Sequence, residues 1–277
     1  MEANKYSSRG SFPTLGDLLA LFGLIFVIQI GVTLVATLIL FLSGNNPATL
    51  SPQAQGGYLA ATSLLSMVGA VIAFFYYGRI RKAPLIEQGI TFRRFNPMLL
   101  LWGYLALVAL GVVIEPLYNL LPPLEQPIGS GLWAAVAVIV IAPCFEELLC
   151  RGWLYGWLRT RYGRWPSMLL SALFFGLLHL QPTAVINAFL IGMLLAYLYD
   201  VTATLWAPIL LHALNNATAF LLLQAGYEEA SISQLFEGHP YLYAAAYLAA
   251  LVLLGLTLYQ LYRSQSRPSG EKNTPSM

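Results

Sequence analysis

Eight stretches of the chain consist almost wholly of apolar residues, each bounded by polar or turn-forming ones: 16–42, 57–77, 98–120, 131–158, 166–181, 184–199, 204–225 and 241–262. None alternates with the two-residue period of a half-buried strand. Most have the roughly 17–25 residues that a helix needs to cross a bilayer. The fifth and sixth are short, and for the sixth a re-entrant segment stays open as the alternative to a full span. The first is too long for the apolar core of a signal peptide and has no small-residue cleavage site after it, which predicts a retained span. The pattern thus predicts an all-α, polytopic membrane helix bundle of about eight transmembrane helices.

Composition agrees. Charged residues are 9% of the 277 and hydrophobic ones 58%, whereas a soluble domain carries roughly 25% charge. That balance argues against a disordered chain and against a nucleic-acid-binding protein. Thirteen of the 14 Lys and Arg lie in the head, in the loops near 78–96 and 159–164, and in the tail. The alternate loops carry Glu125, Glu228, Glu229 and Glu237 instead. The positive-inside rule then puts both termini in the cytoplasm.

The remaining basic residue, Arg151, lies inside the fourth stretch, with Glu146 and Glu147. The fifth holds His179, and the seventh His212, Asn215 and Asn216. An ionisable group at the centre of a span costs about 2.5–3.5 kcal/mol on insertion scales, which makes each a functional suspect. Glu147 and Arg151 are four apart and share a helix face, so they can pair. Glu146 is turned about 100° away. It has no cation on its own helix and is the freer carboxylate, as a general base must be. His212 and Asn216 are also four apart. Counted along their helices, all these groups fall at comparable depth. Pro143 and Pro208, just upstream of Glu146 and His212, are expected to kink their helices and open space beside them.

The strings Glu-Glu-Leu-Leu-Cys-Arg (146–151), Phe-Gly-Leu-Leu-His (175–179) and His-Ala-Leu-Asn-Asn (212–216) resemble the EExxxR, FxxxH and HxxxN signature of the CPBP intramembrane proteases. This is the CAAX-processing and bacteriocin-processing (Abi) family, which includes Rce1-type prenyl endopeptidases. The resemblance spans roughly 131–225. It implies an endopeptidase in which Glu146 and His179 activate a water, His212 and Asn216 stabilise the oxyanion, and Glu147 and Arg151 shape the site. It implies a peptide or membrane-protein substrate, a prenylated CAAX protein among the candidates, and the lipid bilayer as surroundings, with no nucleic acid. The family carries a metalloprotease label. His179, His212 and Glu147 could supply ligands to zinc, but no HExxH helix is present, and the reading commits to no metal or other cofactor. Two alternatives stay open: a non-proteolytic scaffold or immunity-type member of the same fold, and a proton-coupled transporter.

The expected organisation is a cytoplasmic head (1–15), N-terminal helices with a basic loop (16–130), a catalytic membrane domain (131–225), an outer loop and last helix (226–262), and a tail (263–277).

Overall fold

A computed structural model of the chain describes residues 12–84, 96–118, 120–121, 128–226 and 236–265. Lys5, Arg9, Arg93, Arg94, Glu125, Glu228, Glu229, Arg267 and Lys272 lie outside the described residues, as does most of the basic loop. The described residues form eight helices and no strand: α1 (Leu15–Leu42), α2 (Pro52–Ile80), α3 (Pro97–Tyr118), α4 (Gly131–Tyr162), α5 (Arg164–Leu177), α6 (Pro182–Thr202), α7 (Trp206–Gln224) and α8 (Pro240–Gln265). All but α5 are long and apolar enough to cross a membrane.

Of the two stretches read as short, the fifth is short and the sixth is not. With 14 residues, α5 is about 21 Å long, whereas α6 has 21 residues. The boundary between them has a local cause. Gln181 precedes Pro182, and a residue before proline is pushed out of the helical region. Gln181 is extended and Pro182 takes the first turn of α6, where its missing N–H costs nothing.

The chain divides into two compact units, 1–95 with 121–228, and 96–120 with 229–277. In the second, α3 packs against α8. Glu115 was expected near an interface. It is instead buried and accepts a hydrogen bond from Tyr243 at 3.3 Å.

In the first unit, α2 packs on α1 and α4, and α5 packs on α4 and α6. Its core joins Leu21, Phe74, Leu154, Trp157 and Phe175 from four helices. Trp153 and Trp157 stack on each other and on Phe74, while Trp165 is exposed. One end of the unit is tied by ion pairs. Thr14 and Asp17 form a reciprocal cap at the start of α1, and Asp17 also holds Arg81 at 2.7 Å and Tyr77 at 2.8 Å. Asp200 at the end of α6 pairs with Arg164 at 2.7 Å and Arg159 at 3.4 Å, and accepts from Tyr155. The Arg164–Asp200 pair joins the open ends of a hairpin made by α5 and α6, whose closed end carries His179.

That hairpin depends on Gly176. A Cβ there would lie 2.8 Å from the Val185 carbonyl and 3.1 Å from the Phe189 Cβ, so Ala would force backbone apart. We expect Gly176→Ala to cost roughly 1–3 kcal/mol, read as a lower apparent Tm in detergent. Gly23→Ala, where a Cβ meets nothing within 4 Å, should not lower it.

Candidate active site

Helix α4 carries the two glutamates on a short α-helical turn, Ala142–Glu147, between two π-helical stretches, Val136–Ile141 and Leu148–Tyr155. The first has a sequence cause. Pro143 has no N–H to give and would crowd the preceding turn. The helix widens ahead of it, so that Ala142 N–H bonds the Ala137 carbonyl, five residues back. The expected kink is thus taken up as a widened turn, a device frequent at functional sites. Pro208 behaves differently. It is the third residue of α7, in the first turn, where backbone N–H groups have no partner within the helix. No interior kink arises there.

The widened turn leaves the Val138 carbonyl without its ordinary helical donors: Ala142 N–H has turned to Ala137 and Pro143 has none. Asn216 on α7 supplies the bond, its side-chain amide donating to Val138 O at 2.8 Å. Its own oxygen accepts from Asn215 at 3.3 Å.

Glu147 and Arg151 are fully buried, both side chains at 0% exposure, and pair at 2.9 Å within α4. Arg151 also donates to the Gly192 carbonyl on α6 at 2.8 Å, and its guanidinium lies 4.7 Å over the Phe175 ring of α5. Gly192 is small for this reason, since a Cβ there would come within 3.2 Å of the guanidinium. Sequence reasoning paired Glu147 with Arg151 alone. It did not find that the same oxygen, Oε1, also meets His212 Nδ1 at 2.9 Å. No spacing within one helix carries that contact, because His212 lies 65 residues on.

Glu146 points elsewhere. Its side chain is 18% exposed, and its Oε2 lies 3.8 Å from His212 Nε2. His212 therefore stands between the two glutamates, one nitrogen toward each. His179 was placed within the fifth span. It falls instead in the turn after α5, half-buried, with Nδ1 3.0 Å from the Phe175 carbonyl. A carbonyl only accepts, so Nδ1 carries the hydrogen, and in the neutral ring Nε2 then holds the lone pair. The same bond satisfies one of the carbonyls that a helix end leaves open. The His179 and His212 rings meet the Phe175 ring at 5.1 and 5.5 Å, both nearly perpendicular. Arg151, His179 and His212 thus meet one aromatic ring, Glu147 is bonded to Arg151 and His212, Glu146 lies beside His212, and Asn216 stands against the widened turn.

The zinc ligand set does not assemble. Among the described residues no three His, Cys, Asp or Glu side chains are placed to hold a metal ion, and Glu147 Oε1 is committed to Arg151 and His212. Cys144 and Cys150 are free thiols.

A bundle of long apolar helices enclosing a buried carboxylate–imidazole–guanidinium cluster defines an integral multi-pass membrane protein. Residues 128–218, about a third of the chain, match the family model of type II CAAX prenyl endopeptidases, Rce1-like. The matched stretch is similar to that family, and it holds every residue of the cluster. No curated protein and no solved structure matches the chain.

Removing one partner of a fully buried ion pair costs about 3–5 kcal/mol, because the other charge is left uncompensated. Arg151→Met should therefore lower the apparent Tm sharply. Glu147→Gln with Arg151→Met should recover part of the loss. A double variant as unstable as the single one would show that the ion pair is not what Arg151 contributes.

Proposed function

We propose that the protein is an intramembrane endopeptidase in which Glu146 and His179 activate a water. The observation that carries this reading is the unequal treatment of two adjacent glutamates. Glu147 is sealed and already bonded twice, while Glu146 remains partly accessible beside a histidine.

In this reading Glu146 takes a proton from the water as its oxygen attacks the carbonyl carbon of the scissile amide. His179, its Nδ1–H given to the Phe175 carbonyl, offers the Nε2 lone pair to orient that water. His212 gives its Nδ1–H to Glu147, a carboxylate that can only accept. A second proton on Nε2 makes His212 a cationic donor to the oxyanion. The second N–H of the Asn216 amide, beyond the one held by Val138, is the other donor. Such donors contribute about 2.7–4 kcal/mol each where they have been removed. The tetrahedral intermediate then collapses, the C–N bond breaks, and Glu146 returns its proton to the leaving amine. No step runs through a metal.

The substrate is a peptide or protein, and a prenylated C-terminal CAAX segment is the form the family description suggests. The distribution of Lys and Arg supports cytoplasmic termini.

The test is cleavage by the purified, detergent-solubilised protein of a mixed set of prenylated and unprenylated peptides, read by mass spectrometry with and without a zinc chelator. Glu146→Gln should lower the rate by roughly 10²–10⁴-fold, the usual contribution of a positioned base. The chelator should leave cleavage unchanged. New termini produced equally by Glu146→Gln would remove Glu146 from the mechanism.

A further inference from the structure

Phe175 is 1% exposed and would pass for a core residue filling space between helices. It does belong to that core, but one part of its surroundings is polar. The Arg151 guanidinium stands 4.7 Å over the ring, and the two imidazoles meet it at 5.1 and 5.5 Å, tilted by 78° and 86°. The Phe175 carbonyl in turn receives His179 Nδ1 at 3.0 Å. One residue therefore touches both histidines and the cation that holds Glu147. Leu or Met of similar bulk would fill the same volume without the negative face that attracts a guanidinium. Gly192 has its Cα hydrogen where a Cβ would press on both Phe175 (3.1 Å) and Arg151 (3.2 Å), so the close stacking is built in from α6 as well.

We infer that Phe175 is a positioning residue of the proposed site, whose aromatic face fixes Arg151, and through Arg151 and Glu147 the orientation of His212, while its backbone fixes His179. The inference rests on the endopeptidase reading for its kinetic consequence, and on geometry alone for the rest. The chain of contacts has a direction. A weaker ring face loosens Arg151. A looser Arg151 frees Glu147 Oε1, and His212 then loses the partner that aims Nε2 toward Glu146. His179 also meets the ring edge-on at 5.1 Å, but its Nδ1–H is held by the Phe175 carbonyl, so it depends less on the ring's charge than Arg151 does.

The experiment replaces Phe175 with mono-, di- and trifluorophenylalanine, which withdraw electron density from the face with little change in size. Phe175→Leu is added as the volume control. Two readouts are taken on the full-length protein in detergent. The first is the ¹⁵N–¹H spectrum of the histidine side chains. The His212 Nδ1–H signal is expected to shift stepwise along the series, and by more than the His179 Nδ1–H signal, which the backbone carbonyl holds. The second is peptide cleavage, where kcat is expected to fall progressively to about tenfold below wild type at the trifluoro ring, the loss matching a cation–π contact of this kind, with KM little changed. A flat series in both readouts, with loss only in Phe175→Leu, would make Phe175 a space-filler and overturn the inference. Absence of cleavage in wild type itself would count against the endopeptidase reading, and the histidine spectra would still decide the role of Phe175.

Discussion

Arg151 and Glu147 place two full charges at zero exposure inside one apolar helix, and most of the fold around the site follows from satisfying them. Desolvating an ion pair costs more than its own attraction returns unless further hydrogen bonds complete the shell. Here the completing groups come from three other helices. The Gly192 carbonyl on α6 takes one N–H of the guanidinium, Phe175 on α5 takes its face, and His212 on α7 joins Glu147. Each of these contacts also sets how near its helix stands to α4. Gly192 answers the same demand, because a Cβ there would press on Phe175 at 3.1 Å and on Arg151 at 3.2 Å.

Within α4 the opposite problem arises, a missing group and not an excess charge. Pro143 removes an N–H three residues before Glu146, and the backbone responds by widening. The carbonyl orphaned at Val138 must be satisfied in a place without water, since irregular backbone is tolerated at membrane depth only where protein covers it. Asn216 does this from α7, and His212, one turn earlier on the same helix face, meets Glu147. The two α7 contacts flank the glutamates on either side of the Ala142–Glu147 turn. A proline in α4 and an asparagine 73 residues later are thus two halves of one arrangement, which fixes α7 in both height and rotation.

Much of this was legible in the sequence where the physics is local. The apolar lengths gave the helices, the four-residue spacing gave the Glu147–Arg151 pair, and the rarity of buried charge singled out the residues that meet in the cluster. What escaped had causes beyond one helix. The histidine at 179 sits outside α5 because Gln181–Pro182 forces a break, and the same break keeps the fifth element short. Pro208 was read as interior because the apolar run starts before it, while the helix begins only at Trp206. The stack of Trp153 and Trp157 takes its partner, Phe74, from α2. The contact of His212 with Glu147 could not be read from spacing at all.

Adjacent glutamates on a helix cannot share an environment, and this is the constraint that gives the pair its use. A rotation of about 100° per residue turns one carboxylate into the packed interior when the other faces the edge of the cluster. Glu147 takes the interior and is consumed there by Arg151 and His212. Glu146 is left with 18% exposure and a histidine nitrogen at 3.8 Å, too long for a hydrogen bond and wide enough to leave its oxygens uncommitted. His212 spans the boundary, with Nδ1 on the sealed side and Nε2 on the accessible one. A group held rigidly by one nitrogen and presented by the other is pre-organised at no further cost when charge develops. In the proposed mechanism the sealed ion pair therefore does not compete with chemistry at Glu146; it would hold the imidazole still for that step.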